Sequence, residues 1–392
     1  MIKKDFELST GFTLMNRLLT LVAETEIPNT MYTTLIRPLL FSLSPDNAHE
    51  LAVKAGSIIS SSKTLLKLAE TRYTQNLSLK QTILGTTFQN PVGLAAGFDK
   101  NGVMVPLFKS LGFGFAEIGS ITANASPGNP KPRSFRLPDD RSLINRLGLN
   151  NDGVRVISSR LKELRKGDIP IPLGINIAKT HDPSIRGEAA VNDYKISFEL
   201  LRDLADYITI NISCPNTREG KTFEDPEALH HLLNGLTIPK DSVTPPVLVK
   251  FSTDLTKELL GELISVCMDH NISGFVACNT SNNREGLMTP EATLNGIGNG
   301  GLSGRAIRER STRMIRWIRE LSGGDKVIIG TGGIASGEDA IEKIRAGAHL
   351  IQLYTALVYE GPFIARKINR EIGEYLIKNG HHHIREITGK EI

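Results

Sequence analysis

The sequence predicts an α/β fold, a (β/α)8 TIM barrel with a small helical extension at its N-terminus. Two observations carry that expectation. From about residue 80, short apolar runs alternate with amphipathic stretches, and eight such runs fit within roughly 300 residues. Polar residues able to do chemistry then recur just past the carboxyl ends of these runs, the face on which barrel enzymes place their catalytic groups. A doubly wound open sheet is the alternative. No Gly-x-Gly-x-x-Gly follows the first run, which weakens a dinucleotide-binding reading.

Residues 1–75 read as a separate helical extension, and residues 76–392 as the barrel domain. In the extension, Tyr32, Leu35, Ile36, Leu39, Leu40 and Leu43 recur at helical spacing and form one apolar stripe. Pro38 should kink or shorten that helix. Ser44-Pro45-Asp46 combines a capping hydroxyl with proline at the first helical position, and so starts a second helix. Its stripe is Ala48, Leu51, Ala52, Ala55, Ile58 and Ile59. Two short amphipathic helices joined by a tight turn would make a flap, packed on the main domain or touching a membrane.

In the barrel domain the expected strands are 92–96, 114–118, 172–177, 206–212, 247–251, 274–278, 326–330 and 349–353. Helical stretches lie between them, including 154–165, 191–205, 255–270, 305–321 and 337–346.

Composition excludes several function classes. With 392 residues, 40% apolar and 22% charged, the chain can bury a sizeable core. A net charge of +4 without a run of Lys or Arg argues against a nucleic-acid stripe. Three cysteines, Cys214, Cys267 and Cys278, make neither a disulfide framework nor a metal cluster. His381-His382-His383 reads as a solvated tail, so no metal is expected. No run of 18 apolar residues spans a bilayer. Asn16 and Arg17 spoil a signal peptide, and Asp5, Glu7, Glu24 and Glu26 argue against a transit peptide.

The most informative segment is Asn211-Ile212-Ser213-Cys214-Pro215-Asn216-Thr217, which follows the apolar run Tyr207-Ile208-Thr209-Ile210. Carboxamides both donate and accept, so Asn211 and Asn216 can grip an amide-rich ring. The thiol between them can remove a proton. The first strand ends in Ala95-Ala96-Gly97-Phe98-Asp99-Lys100, where small residues admit a flat ring and Lys100 offers a cation for a carboxylate. The second ends in Glu117-Ile118-Gly119-Ser120, and an Asn-rich loop, Ile144-Asn145-Arg146-Leu147-Gly148-Leu149-Asn150-Asn151, follows. The third ends at Asn176, the fifth at Lys250 and the sixth in Cys278-Asn279-Thr280. A lysine closing an apolar strand is seldom structural, because its burial is costly without a partner.

Gly330-Thr331-Gly332-Gly333-Ile334, Gly301-Leu302-Ser303-Gly304 and Gln352-Leu353-Tyr354-Thr355 occupy the places where barrels hold phosphate through backbone N–H groups. With Lys250 reaching a ring, flavin mononucleotide (FMN) fits best, because a cation at the pyrimidine edge stabilises the anionic reduced flavin.

Taken together, from about residue 30 to 375, these motifs resemble the dihydroorotate dehydrogenases in order and spacing. Ser44-Pro45-Asp46-Asn47-Ala48-His49-Glu50, Phe135-Arg136-Leu137-Pro138 and Gln352-Leu353-Tyr354-Thr355-Ala356-Leu357 look like the class 2, quinone-dependent branch. The resemblance implies an FMN barrel that oxidises (S)-dihydroorotate to orotate in pyrimidine (UMP) biosynthesis. Carried over by position, it implies that Ala95, Ala96, Gly97, Gly119, Ser120, Asn145, Asn176, Asn211, Lys250, Asn279, Thr280, Ser303, Gly304, Gly332, Gly333, Tyr354 and Thr355 line the flavin site. Lys100, Asn145, Arg146, Leu147, Gly148, Leu149, Asn211, Asn216, Asn279 and Thr280 would surround the substrate. Cys214 would be the base that takes the C5 proton while a hydride leaves C6 for flavin N5. Quinone would approach beneath the N-terminal helices toward Arg136 and Tyr354. The expected location is peripheral, on the cytoplasmic face of a bacterial-type cell membrane.

The chain departs from that pattern in three places. Cys214 stands where class 2 members normally have Ser, and Cys is the rule in the soluble class 1 enzymes, which use fumarate or a partner subunit that receives electrons for NAD. Leu149 stands where Phe is usual. The stretch 218–223 differs from the usual class 2 pattern. Fumarate as acceptor therefore stays open beside quinone. A dihydropyrimidine dehydrogenase-type flavoenzyme fits less well, because Asn216 stands where His is typical and no Cys clusters for iron–sulfur centres occur. A tRNA dihydrouridine synthase would have Gly in place of Ser213 and a basic RNA-binding extension. A flavin-binding protein without activity leaves Lys100 and the Asn set unexplained.

Overall fold

The computed structural model describes residues 31–69, 76–167, 169–213, 223–239 and 244–390. An antiparallel hairpin, β1 (Gln81–Ile83) and β2 (Thr86–Phe88), precedes the first barrel strand, β3 (Val92–Leu94). β4 (Phe115–Ile121), β5 (Ser134–Leu137), β6 (Ser142–Asn145), β7 (Leu173–Ile177) and β8 (Tyr207–Asn211) follow. β9 (Val247–Phe251), β10 (Gly274–Ala277), β11 (Gly301–Gly304), β12 (Val327–Thr331) and β13 (Leu350–Leu353) complete the strands. Eight of them close a barrel in the order β3-β4-β7-β8-β9-β10-β12-β13, each neighbouring pair parallel.

These strands are buried on both faces, inward by barrel side chains and outward by helices. That is why β4, β7, β8 and β9 are buried at every position and read as continuous apolar runs. The eight expected strands are the eight barrel strands. The expected helices 154–165 and 337–346 are found with those bounds. Stretch 191–205 is an α-helix at Glu188–Leu201 that ends in a 3-10 turn. Stretches 255–270 and 305–321 hold helices at Lys257–Asp269 and Arg308–Leu321. β5, β6 and β11 form a separate antiparallel sheet beside the barrel, which carries Asn145 and Ser303 toward its mouth.

The described part of the extension is helical. A π-turn at Tyr32–Ile36 passes into α1 (Arg37–Ser42), with Pro38 in its first turn. Pro38 has no N–H to give to the preceding turn, so the helix restarts there. α2 (Pro45–Ser60) starts at Ser44, whose hydroxyl accepts from the Asn47 N–H at 3.3 Å. A third helix, α3 (Lys63–Ala69), was not expected. Arg136 on β5 ties α1 to the barrel domain. Its guanidinium donates to the Leu43 carbonyl at 2.9 Å and the Leu40 carbonyl at 3.2 Å, and lies over the Phe41 ring at 4.3 Å. Leu35 and Leu39 stay 62% and 72% exposed, so the apolar stripe is not consumed by packing. No described helix is long and apolar enough to cross a membrane. The histidines of 381–383 are not a free tail: the His383 ring meets the Lys80 carbonyl at 2.8 Å and His381 pairs with Glu386 at 3.4 Å. Among the described residues no cluster of His, Cys, Asp and Glu could hold a metal.

Candidate active site

The carboxyl ends of the barrel strands open into a cavity of about 470 Å³, a size typical of a cofactor or small-molecule site. β3 delivers Ala95, Ala96, Gly97 and Lys100 to its wall, β4 delivers Ser120, and β8 delivers Asn211. Lys250 comes from β9, and Asn279 and Thr280 follow β10. Asn145 ends β6, and Leu147, Gly148 and Leu149 arrive from the loop after it, with Leu149 at a positive φ of 53°. Ser303, Gly304, Gly332, Gly333, Tyr354 and Thr355 form the remaining end.

Two expected residues lie beside the cavity rather than on its wall. Gly119 precedes Ser120 in β4. Asn176 is fully buried, and its Oδ1 accepts from the Ser120 hydroxyl at 2.5 Å. Arg146 turns away: its guanidinium stacks on Phe135 at 4.7 Å and donates to the carbonyls of Ile297, Asn299 and Pro132. Cys214 and Asn216, and the differing stretch up to Thr222, lie outside the described residues.

The amides form an ordered row. Asn279 Nδ2 donates to Asn211 Oδ1 at 3.3 Å, Asn211 Nδ2 donates to the Ser120 hydroxyl at 3.0 Å, and Asn176 Nδ2 donates to Glu117 at 2.9 Å. Their rotamers are therefore locked before any ligand arrives.

Two of the cationic side chains on the cavity wall are buried lysines. Lys250 is buried, and among the described residues its ammonium has neither a hydrogen-bond nor an ion-pair partner. Lys100 is also buried, and its ammonium donates to the Gly97 carbonyl at 2.8 Å. Burial first, and the nearby Arg133 charge second, pull its pKa down to about 8. His49 of α2 is held neutral, its pKa lowered to about 3 by burial and then by Lys100. Its ring meets Phe98 edge-on at 5.1 Å, and Phe98 meets Tyr354 at 5.5 Å. Burial, then Asp46, pushes Tyr354 up to about 12, so it stays a neutral phenol.

At the Gly-rich end, the N–H groups of Gly333 and Ile334 meet no acceptor among the described residues. The helix at Gly337–Ala346 begins just beyond, capped by Ser336. Gly333 sits at φ 74°, and a Cβ there would come within 2.5 Å of Arg308. Arg308 itself is matched by Asp339 at 2.8 Å and by Glu342. An anion here would be held by backbone N–H groups and the helix N-terminus.

Sequence reasoning named Gln352 only as part of a motif. It lines the cavity, is 1% exposed, and its Oε1 is buried without a partner among the described residues. The signal was one polar residue inside the buried run Leu350–Leu353.

The profile of the dihydroorotate dehydrogenase family matches residues 78–376. A protein of Nostoc punctiforme named dihydroorotate dehydrogenase (quinone) is 42% identical over 375 residues, which cover 92% of this chain and 98% of the relative. Proteins with the same name from Chloroflexus aurantiacus (42% identical, covering 86% and 94%) and Halobacterium salinarum (38%, covering 91% and 99%) are also similar. A crystal structure of DHODH from Eimeria tenella in complex with ferulenol superimposes with a TM-score of 0.80 at 29% identity, covering 90% of this chain and 98% of that one.

Proposed function

The chain belongs to the dihydroorotate dehydrogenase family, and from that premise we propose that it oxidises (S)-dihydroorotate to orotate, a step of pyrimidine biosynthesis, with a quinone as the electron acceptor. One observation supports this best: Lys100, the Asn211–Asn279 pair and Lys250 converge on one buried cavity. A cation for a carboxylate stands beside carboxamides for an imide-rich ring.

The residues fit FMN. Gln352 and Thr280 line the cavity, and among the described residues Gln352 Oε1 and Thr280 Oγ1 are buried without partners, while the Gly333 and Ile334 N–H groups, which meet no acceptor there, suit a phosphate. Lys250 would hold the electron-rich edge of the flavin. Gly332, Gly333, Gly304, Ser303 and Thr355 would hold the phosphate end, and Ala95, Ala96, Gly97, Gly119, Ser120, Asn145, Asn176 and Tyr354 would frame the ring. Bound there, FMN would supply the two-electron redox chemistry between substrate and quinone.

The chain's own residues do the rest. Lys100 would neutralise the substrate carboxylate. Asn145, Asn211, Asn216, Asn279 and Thr280 would grip the ring, and the backbone of Arg146-Leu147-Gly148-Leu149 would close one side. Cys214 would take the C5 proton as general base. A quinone would enter between α1, α2 and the barrel, toward Arg136 and Tyr354. The exposed side chains of Leu35, Leu39 and Leu43 support peripheral contact with a membrane, which we place at the cytoplasmic face of the cell membrane. The extension at residues 1–75 would serve the quinone and residues 76–392 the chemistry.

The test is to identify the chromophore released from purified protein by mass. Dihydroorotate-dependent reduction of a short-chain quinone is then compared with that of fumarate. FMN and preference for quinone are expected. Preference for fumarate would overturn the acceptor, and a colourless active protein the cofactor.

A further inference from the structure

Glu117 lies in the middle of β4, fully buried, and among the described residues no lysine, arginine or histidine pairs with it. Its carboxylate instead takes neutral donors from three other strands. Oε1 accepts from Asn176 Nδ2 at 2.9 Å. Oε2 accepts from Gln352 Nε2 at 2.8 Å, the Tyr207 hydroxyl at 3.1 Å and the Thr209 hydroxyl at 3.2 Å. A buried carboxylate without a counter-ion is a poor way to stabilise a barrel, because apolar residues of the same volume do that better. What it supplies is direction. A carboxylate ringed by donors only accepts, whereas an amide or hydroxyl can turn either way.

That direction propagates along two branches. On one, Asn176 must turn its Nδ2 toward Glu117, which leaves its Oδ1 for the Ser120 hydroxyl at 2.5 Å. Ser120 Oγ then accepts from Asn211 Nδ2 at 3.0 Å, and Asn211 Oδ1 accepts from Asn279 Nδ2 at 3.3 Å. Every donor in the row points back toward one terminal acceptor. On the other branch, Gln352 must spend its Nε2 on Glu117, so its Oε1 faces the other way. Among the described residues that oxygen is buried without a partner, on a residue that lines the cavity. A buried acceptor left unpaired costs about 1–3 kcal/mol, so a donor from the bound group completes it.

We propose that Glu117 is a positioning residue: it sets the donor–acceptor polarity of the cavity floor and thereby holds Gln352 Oε1 as an acceptor for an N–H or O–H of the bound cofactor. The inference rests on the reading that the cavity holds FMN. It makes a specific demand. In Glu117→Gln the new amide must place its NH2 on one branch or the other, so either Gln352 or the Asn176–Asn211 row reverses. Pairing it with Gln352→Glu gives the floor a pure acceptor again, with one oxygen for Gln at 117 and one for the cavity.

The experiment measures the FMN dissociation constant of the full chain by flavin fluorescence, the visible spectrum of the bound flavin, and the melting temperature after flavin removal. Glu117→Gln is expected to weaken FMN at least tenfold and to shift the spectrum. The Glu117→Gln/Gln352→Glu pair is expected to regain most of that affinity. Gln352→Met, which keeps the volume but removes the acceptor together with the donor to Glu117, is expected to weaken FMN as well. Unchanged FMN affinity and spectrum in folded Glu117→Gln overturns the proposal, as does a Glu117→Gln/Gln352→Glu pair that binds FMN no better than Glu117→Gln alone. If Glu117→Gln does not fold, Gln352→Met decides: FMN affinity equal to that of the unaltered chain overturns the acceptor role. If the unaltered chain itself binds no FMN, the cofactor reading fails and the inference with it.

Discussion

Replacing Lys100 with methionine separates binding from stability. Its ammonium is buried beside Gly97, and its pKa falls from 10.5 to about 8. That difference corresponds to a penalty of about 3 kcal/mol on the charged form in the free protein. The unfolded lysine keeps its proton up to pH 10.5, while the folded one releases it above about 8. Between those values the unfolded chain binds more protons, so this contribution to stability rises with pH, and the penalty is complete below about 8. Methionine removes the penalty and forfeits one charged hydrogen bond worth about 1.5–3 kcal/mol. At pH 7 the free variant is therefore expected to be no less stable than the unaltered chain, and more stable by up to about 1.5 kcal/mol, measured by denaturant unfolding. The substrate carboxylate, in contrast, loses a charged hydrogen bond worth about 1.5–3 kcal/mol, so KM for dihydroorotate should rise roughly 10- to 150-fold. In the unaltered protein, kcat/KM should fall as pH rises past about 8, where Lys100 loses its charge. A variant that is less stable and keeps its KM would refute this reasoning and make Lys100 structural.

Two further perturbations address the chemistry and the exit of electrons. Cys214→Ala should retain FMN but slow flavin reduction by about 10²–10⁴-fold, the usual contribution of a general base. Cys214→Ser should move the basic arm of the stopped-flow pH profile upward, because a hydroxyl is a far weaker acid than a thiol of pKa about 8.5, and an unmoved arm counts against Cys214 as the base. Leu35→Asp/Leu39→Asp on the exposed face of the extension should lower binding to anionic lipid vesicles and turnover with long-chain quinone, while flavin reduction by dihydroorotate stays unchanged. Equal loss of both half-reactions would make that face structural.

Much of this architecture is legible in the sequence because parallel barrel strands are buried on both faces. Runs such as Val247–Phe251 and Tyr207–Asn211 therefore stand out as continuous apolar segments, and the functional groups follow them directly. The β5–β6–β11 sheet is not legible in the same way. Its strands are four residues long and mix Ser, Asn and Gly with apolar residues, so Gly301–Gly304 reads as a phosphate loop when it is a strand beside the cavity. α3 is too short to show a periodicity. Arg146 sits within a site motif, yet its side chain is claimed by carbonyls and by Phe135, a choice set by tertiary contacts. Glu117 and Gln352 are visible as polar residues inside apolar strands, but the bond that joins them links residues 235 apart in sequence. No local pattern reports such a pairing.

The most direct test mixes the purified protein with dihydroorotate in the absence of oxygen, follows flavin absorbance, and then adds quinone, fumarate or NAD in separate runs. Bleaching by dihydroorotate with recovery on quinone alone is the expected result. Recovery on fumarate or NAD would contradict the acceptor, and a bound flavin that dihydroorotate fails to bleach would contradict the substrate.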